Sequence, residues 1–156
     1  MKAKDLIIDK WLNVFEGFSL DVHSSEFIKI IHVFQMLCPG CIYRGIPQAH
    51  GLYNRFNSDD VKLVGLHSVF ENHEAMQPHA LEIFVSELGL PFPVGIDKKV
   101  DGEWMPETMK AYQLQGTPSL IVIDHNGDIK LNHFGHVDQN KIEAFITELI
   151  YKKKVA

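Results

Sequence analysis

Cys38 and Cys41 are the only cysteines in the chain, and they stand together in Cys38-Pro39-Gly40-Cys41. A disulfide across so short a span closes too small a loop to constrain the unfolded chain much, so a structural staple explains the pair poorly. Reversible redox chemistry and ligation of a soft metal remain. With Cys38 at the N-cap of a helix and Pro39 at its first position, the sulfur faces unpaired backbone N–H groups and the positive helix end, which favours thiolate over thiol. Helix N-termini and Cys-x-x-Cys pairs lower a cysteine pKa from about 8.5 to roughly 3.5–7.5. Cys38 is then the expected nucleophile, and Cys41, one turn further on, the residue that resolves a mixed disulfide.

This chemistry needs a strand before Cys38 and a helix after it, and the pattern supplies both. Phe27 to Phe34 is β-branched and aromatic and reads as a central buried strand; a helix is expected from Pro39 to about Phe56. A second strand is expected over Val61–His67. A helix from Glu74 to Leu88 carries Met76, Ala80, Leu81, Phe84, Val85 and Leu88 at helical spacing and is closed by Gly89. The alternation implies a parallel sheet with right-handed crossovers. A short strand at Val94–Ile96 then leads into a polar insert, Asp97 to Glu103, and a short helix near Pro106 that includes Met109 and Tyr112. Ser119–Ile123 and Ile129–Phe134 read as a hairpin joined through Asn126-Gly127, and a last helix from Asp138 to about Tyr151 turns Ile142, Phe145, Ile146 and Leu149 inward.

With these elements in place, the chain resembles the thioredoxin-like superfamily, specifically the TlpA-like thiol-disulfide oxidoreductases and the wider redoxin group. The resemblance runs from about Trp11 to Leu149 and rests on Val33-Phe34-Gln35-Met36-Leu37-Cys38-Pro39-Gly40-Cys41, Val64-Gly65-Leu66-His67-Ser68 and Gly116-Thr117-Pro118-Ser119-Leu120. It implies a thioredoxin-like α/β fold, a mixed sheet with helices on both faces, here with an N-terminal extension and an inserted helix. In that family the Thr-Pro segment carries a cis proline beside the active-site disulfide and presents backbone groups to the substrate. This assigns Pro118 as the cis residue and Thr117 as its substrate-facing neighbour. Its place 77 residues after Cys41 fits a chain returning to the same sheet edge.

The chain also departs from the family. Leu37 stands where thioredoxins have Trp, so the partner-binding surface differs. His32 stands where they carry a buried acid, six residues before the first cysteine. An imidazole there is a candidate base for Cys41, although a hydrogen-bonded strand residue is the commoner use of such a histidine. Pro39 and Leu37 join Pro118 in a flat apolar surface, and Gln35 and His67 are polar neighbours able to bond the Cys38 thiolate or a substrate peptide, or to be satisfied at strand ends. A peroxidase is the nearest rival enzyme. The family pattern for peroxide reduction wants Thr or Ser three residues before the cysteine, Pro seven before, and a later Arg; here those positions are Gln35 and Ile31, and no Arg follows Arg55. The rival of another class is a copper- or zinc-binding chaperone using Cys38, Cys41 and one of His67, His125 or His133. The nine histidines follow no finger spacing, and no metal site is assigned.

Composition narrows the remaining choices. The chain has 156 residues, 46% hydrophobic, and a net charge of −5, which suits one domain over residues 1–156 and gives no general pull toward nucleic acid or anionic lipid. Lys29 and His32 interrupt the best apolar run, so no membrane insertion is expected. The N-terminus offers three consecutive apolar residues before Asp9, too few for a secretory leader, which favours the cytoplasm unless a leader has been removed. The expected activity is thiol-disulfide exchange with protein disulfides, fed by an unidentified thiol electron donor and needing no bound cofactor. Cys38 attacks, Cys41 resolves, and Pro118 with Thr117 aligns the partner.

Overall fold

A computed structural model describes residues 1–56 and 59–156. Its centre is β2 (Ile28–Phe34), buried at every position, as its β-branched and aromatic residues favour and with Lys29 and His32 buried among them. Around it lie β1 (Ile8–Leu12), β3 (Val61–His67), β4 (Val94–Asp97), β5 (Ser119–Ile123) and β6 (Ile129–Phe134), in a six-stranded sheet of order β1-β4-β3-β2-β5-β6. β2 pairs in parallel with β3, and β3 with β4; the β1–β4, β2–β5 and β5–β6 pairs are antiparallel. The mixed sheet and flanking helices are those the resemblance implied.

Alternation along the strands divides the core in two. Ile28, Ile30 and Phe34 face α1 (Ile46–Arg55), α2 (Pro78–Glu87) and α4 (Gln139–Val155). Ile31 and Val33 face α3 (Glu107–Ala111), Val22 and Ala3. Lys29 is fully buried, its Nζ donating to the carbonyls of Ser24 and of Asp124, the latter at 3.0 Å. Burial lowers its pKa, against the pull of Asp21 and Asp124.

Several elements differ from the sequence reading. No strand was assigned to the N-terminal extension, yet Ile8–Leu12 forms the edge strand β1. Its exposed Asp9 and Lys10 hide any alternation, and backbone pairing to β4 makes the strand. α2 starts at Pro78 rather than Glu74, because the proline is suited to the first turn and residues 72–76 are held as turns by Ala75 N to Asn72 O (3.0 Å) and Met76 N to His73 O (3.3 Å). It ends as expected at Gly89 (φ +58°), with Gly89 N on Ser86 O and Leu90 N on Val85 O, both at 3.1 Å. The β5–β6 connection is not a two-residue turn. Asp124 Oδ1 accepts from the N–H groups of Asn126 and Asp128, both at 2.9 Å, and only Gly127 has positive φ (+78°). Asp97, expected to open a polar insert, instead ends β4 and is buried. α4 runs to Val155, beyond Tyr151, with Asp138 accepting from Lys141 N at 3.0 Å as its N-cap.

The helix after Cys38 is the part that positions the site. Pro39 and Gly40 are helical, Cys41–Gly45 forms a π-helical turn in which Ile46 N bonds Cys41 O, and α1 continues from Ile46. Pro47 explains the widened turn: it lacks an N–H, and its ring clashes with the carbonyl four residues earlier in an α-helix, which a π turn relieves. Gly45 faces the sheet, where an added Cβ would lie 2.7 Å from His32 Cε1 and 3.1 Å from Pro118 Cβ. Gly51, further along the same helix, has Gln139 Nε2 at 3.9 Å as its nearest neighbour. Gly45→Ala is therefore expected to lose about 1–3 kcal/mol of stability by overpacking, while Gly51→Ala gains about 0.5–1 kcal/mol from helix propensity. Urea midpoints of the two variants should move in opposite directions.

Candidate active site

Both cysteines are free thiols at the junction of β2 and the helix: Cys38 is half-buried and Cys41 fully buried. The turn between them and β2 is fixed by Cys38 N donating to Gln35 O (3.0 Å) and Met36 N donating to His67 Nε2 (3.1 Å). Thr117 and Pro118 precede β5, antiparallel to β2, and this pairing brings them beside the helix start. The Thr117–Pro118 peptide is cis. Cys38 Sγ lies 3.5 Å from Thr117 O, and a Cβ on Gly40 would lie 3.3 Å from Pro118 Cδ.

The two thiols are electrostatically unequal. Burial pushes Cys38 up, but hydrogen bonds from the Cys41 side chain, the Cys41 and Gly40 backbone and the Thr117 side chain outweigh it, and the thiol sits below its ordinary value. Burial dominates at Cys41 and pushes it up to about 12, with the neighbouring Cys38 adding in the same direction. The arrangement thus offers one thiolate near the surface and one protonated thiol beneath it.

The remaining residues singled out in the sequence fall into two groups. Leu37 (51% exposed) and Pro39 lie at the surface, extended by exposed Ile42 and Tyr43 on the same helix. Gln35, His67 and His32 are buried. Gln35 Oε1 accepts from Phe70 N (3.1 Å), and its Nε2 donates to Glu71 Oε1 (3.2 Å) and Thr117 Oγ1 (3.5 Å). It therefore lies under the site and ties its loops together. His67 accepts from Met36 N through Nε2, so its proton is on Nδ1; burial depresses its pKa to about 4. His32 is stacked on Phe34 (ring centroids 5.7 Å apart), its Nε2 has no hydrogen-bond partner among the described residues, and burial holds it at about 4. Neither histidine hydrogen-bonds a cysteine sulfur.

Three contributors escaped the sequence reading. Gly45 carried a signal that went unread, since a glycine followed by Ile46-Pro47 inside a helix marks a packing constraint. Asp97 carried none: a carboxylate after Val94-Gly95-Ile96 looks like the start of a surface loop. In the structure it accepts from Ser68 Oγ (2.8 Å), Thr108 N (2.8 Å) and Met109 N (3.0 Å), which fastens α3 to the loop after β3, and burial raises its pKa. Glu71, in that loop, gave no signal of its own. The histidines proposed as metal ligands do not gather: among the described residues no group of three His, Cys, Asp or Glu side chains is placed to hold a metal.

No family model matches the chain. A crystal structure of a thioredoxin-like superfamily protein is 44% identical, covers 96% of both chains and superposes with a TM-score of 0.89. The chain belongs to the thioredoxin-like superfamily. A thiol-disulfide isomerase from Corynebacterium glutamicum is similar at 40% identity over 94% of both chains, with a TM-score of 0.88. The thiol-disulfide oxidoreductase ResA of Halalkalibacterium halodurans is 26% identical over 151 residues, which are 96% of this chain and 77% of that protein. Two of these relatives are thus named for thiol-disulfide chemistry.

The buried histidines set a pH dependence. Each is held neutral with a folded-state pKa of about 4 against an unfolded value of 6.5, so the unfolded chain binds more protons between these limits. Stability is full above pH 6.5 and falls as pH drops toward 4, by on the order of 3 kcal/mol for each ring. His32→Phe, which keeps an aromatic ring, should remove about half of the loss between pH 7 and pH 4.5 in urea denaturation. An unchanged profile would show that His32 is not the neutral buried base described.

Proposed function

We propose that the protein is a thiol-disulfide oxidoreductase, one domain over residues 1–156, whose Cys38–Cys41 dithiol exchanges with disulfides of other proteins. The observation that carries this reading is the inequality of adjacent thiols: Cys38 half-buried and acidified by hydrogen bonds, Cys41 sealed beneath it and pushed up to about 12. In the reductive direction the Cys38 thiolate attacks one sulfur of the partner disulfide, a new S–S bond forms, and the other partner sulfur leaves as a thiolate that takes a proton. Cys41, deprotonated, then attacks the Cys38 sulfur; the intramolecular disulfide closes and the partner's second thiolate is released. Two electrons pass from the dithiol to the partner, and a separate thiol donor restores the dithiol. The reverse sequence oxidises a partner dithiol.

Thr117 and Pro118 align the partner, with Thr117 O beside the sulfur and the backbone there available to pair with an extended segment. Leu37 and Pro39 supply apolar contact at the rim. His32 lies on the core face that also holds Cys41; held neutral by burial and bonded to neither sulfur, it is a polar neighbour of the pair rather than the acceptor of the Cys41 proton. No bound cofactor enters these steps. No helix among the described residues is long and apolar enough to cross a membrane. We place the protein in the cytoplasm, or outside it if a leader precedes the mature chain.

Cys38→Ser should abolish disulfide reduction in a coupled assay, with a loss of at least about 1,000-fold, comparable to removal of other nucleophiles. Cys41→Ser should still attack, but accumulate a mixed disulfide visible as a partner-sized mass increase that dithiothreitol removes. Equal activity of the Cys38→Ser variant would refute the assignment.

A further inference from the structure

Glu71 stands at the mouth of the site in a manner that its sequence position does not reveal. The Gln35 amide is buried, and its orientation is settled by chemistry: Phe70 N–H can only donate, so the amide oxygen faces Phe70 and the NH2 group faces the site. That one nitrogen donates both to Glu71 Oε1 (3.2 Å) and to Thr117 Oγ1 (3.5 Å). The carboxylate and the residue beside the Cys38 sulfur are therefore neighbours on a shared, buried donor. Glu71 itself is exposed, and among the described residues no cation pairs with it. Cys38 N on Gln35 O closes the arrangement from the other side. A negative charge is thus held in place where a partner segment pairing at Thr117 must pass.

We propose that Glu71 is a specificity-determining residue that selects partner disulfides flanked by cationic residues and disfavours those flanked by acidic ones. The inference rests on the exchange activity proposed above. In that step Cys38 and Cys41 carry the electrons as already described; Glu71 contributes only attraction to a Lys or Arg of the partner as it docks. Glu71→Gln removes the charge but keeps an oxygen for the Gln35 amide, so the loop should stay in place. Glu71→Lys reverses the charge.

The test oxidises the reduced protein with two symmetric peptide disulfides that differ only in flanking residues, Lys in one and Glu in the other, at low ionic strength. The readout is the ratio of second-order rates. Comparing that ratio between variants cancels the intrinsic reactivity of each peptide. The ratio should fall about two- to five-fold from wild type to Glu71→Gln, fall further in Glu71→Lys, and lose most of its difference between variants at high salt. An identical ratio in all three proteins would overturn the proposal while leaving the exchange activity intact. Failure of the wild type to react with either peptide would instead overturn the exchange reading, and this inference with it.

Discussion

At Gly45 the helix backbone lies so close to the sheet that a single methyl group would sit 2.7 Å from the His32 ring and 3.1 Å from Pro118. That contact joins the three parts of the site: β2 through His32, the segment before β5 through Pro118, and the helix that carries both cysteines. A side chain at 45 would lift the helix, and with it the first turn that faces Thr117. Pro47 acts on the same contact from the other direction. By forbidding an ordinary α-helical bond it widens the turn over Cys41–Gly45, which is the stretch resting on the sheet. The buried ring beneath is held neutral, because burial disfavours its charged form and its Nε2 has no partner among the described residues.

The close approach also decides the order of the chemistry. Both sulfurs experience burial, which disfavours thiolate, but only Cys38 lies where the first free N–H groups of the helix point outward to offset it. Cys41 is one turn deeper. Burial pushes it up to about 12, so at neutral pH it is overwhelmingly thiol and does not compete with Cys38 for an incoming disulfide. One of the causes that raise it is Cys38 itself. Once Cys38 is tied up in a mixed disulfide its charge is gone, and Cys41 becomes easier to deprotonate at the stage where it must attack.

The sequence revealed the reaction centre and the strands around it more readily than the supports beneath them. Cys38, Cys41 and Thr117-Pro118 could be found because each carries a chemical or conformational signature of its own, and β2 because five of its seven residues are β-branched or aromatic. β1 was hidden because its register is set by the β4 edge rather than by its own alternation. Asp97 was hidden because a buried carboxylate and a solvated one are the same letter. What separates them is three donors, Ser68 Oγ and the N–H groups of Thr108 and Met109, and the last two come from a helix that follows ten residues later. Gln35 and His67 were ambiguous for the same reason: a polar side chain at a strand end serves either a ligand or a stranded backbone group, and pairing alone decides.

That ambiguity has a common physical resolution here. Where β2, β3 and β4 end, the chain leaves the ladder, and backbone N–H groups of the following loops and of the first turn of α3 are still shielded from water. Met36 N is taken by His67, Phe70 N by Gln35, and Thr108 N and Met109 N by Asp97. Each such donor, left unmade in a buried setting, costs about 1–3 kcal/mol, so the loops around Cys38 are held by bonds whose loss is more expensive than any single surface contact. Polar residues packed densely at the carboxyl end of a sheet invite a catalytic reading. In this protein most of them are engaged in holding the backbone, and that is why the two sulfurs and Thr117 O keep their places with so little regular secondary structure between them.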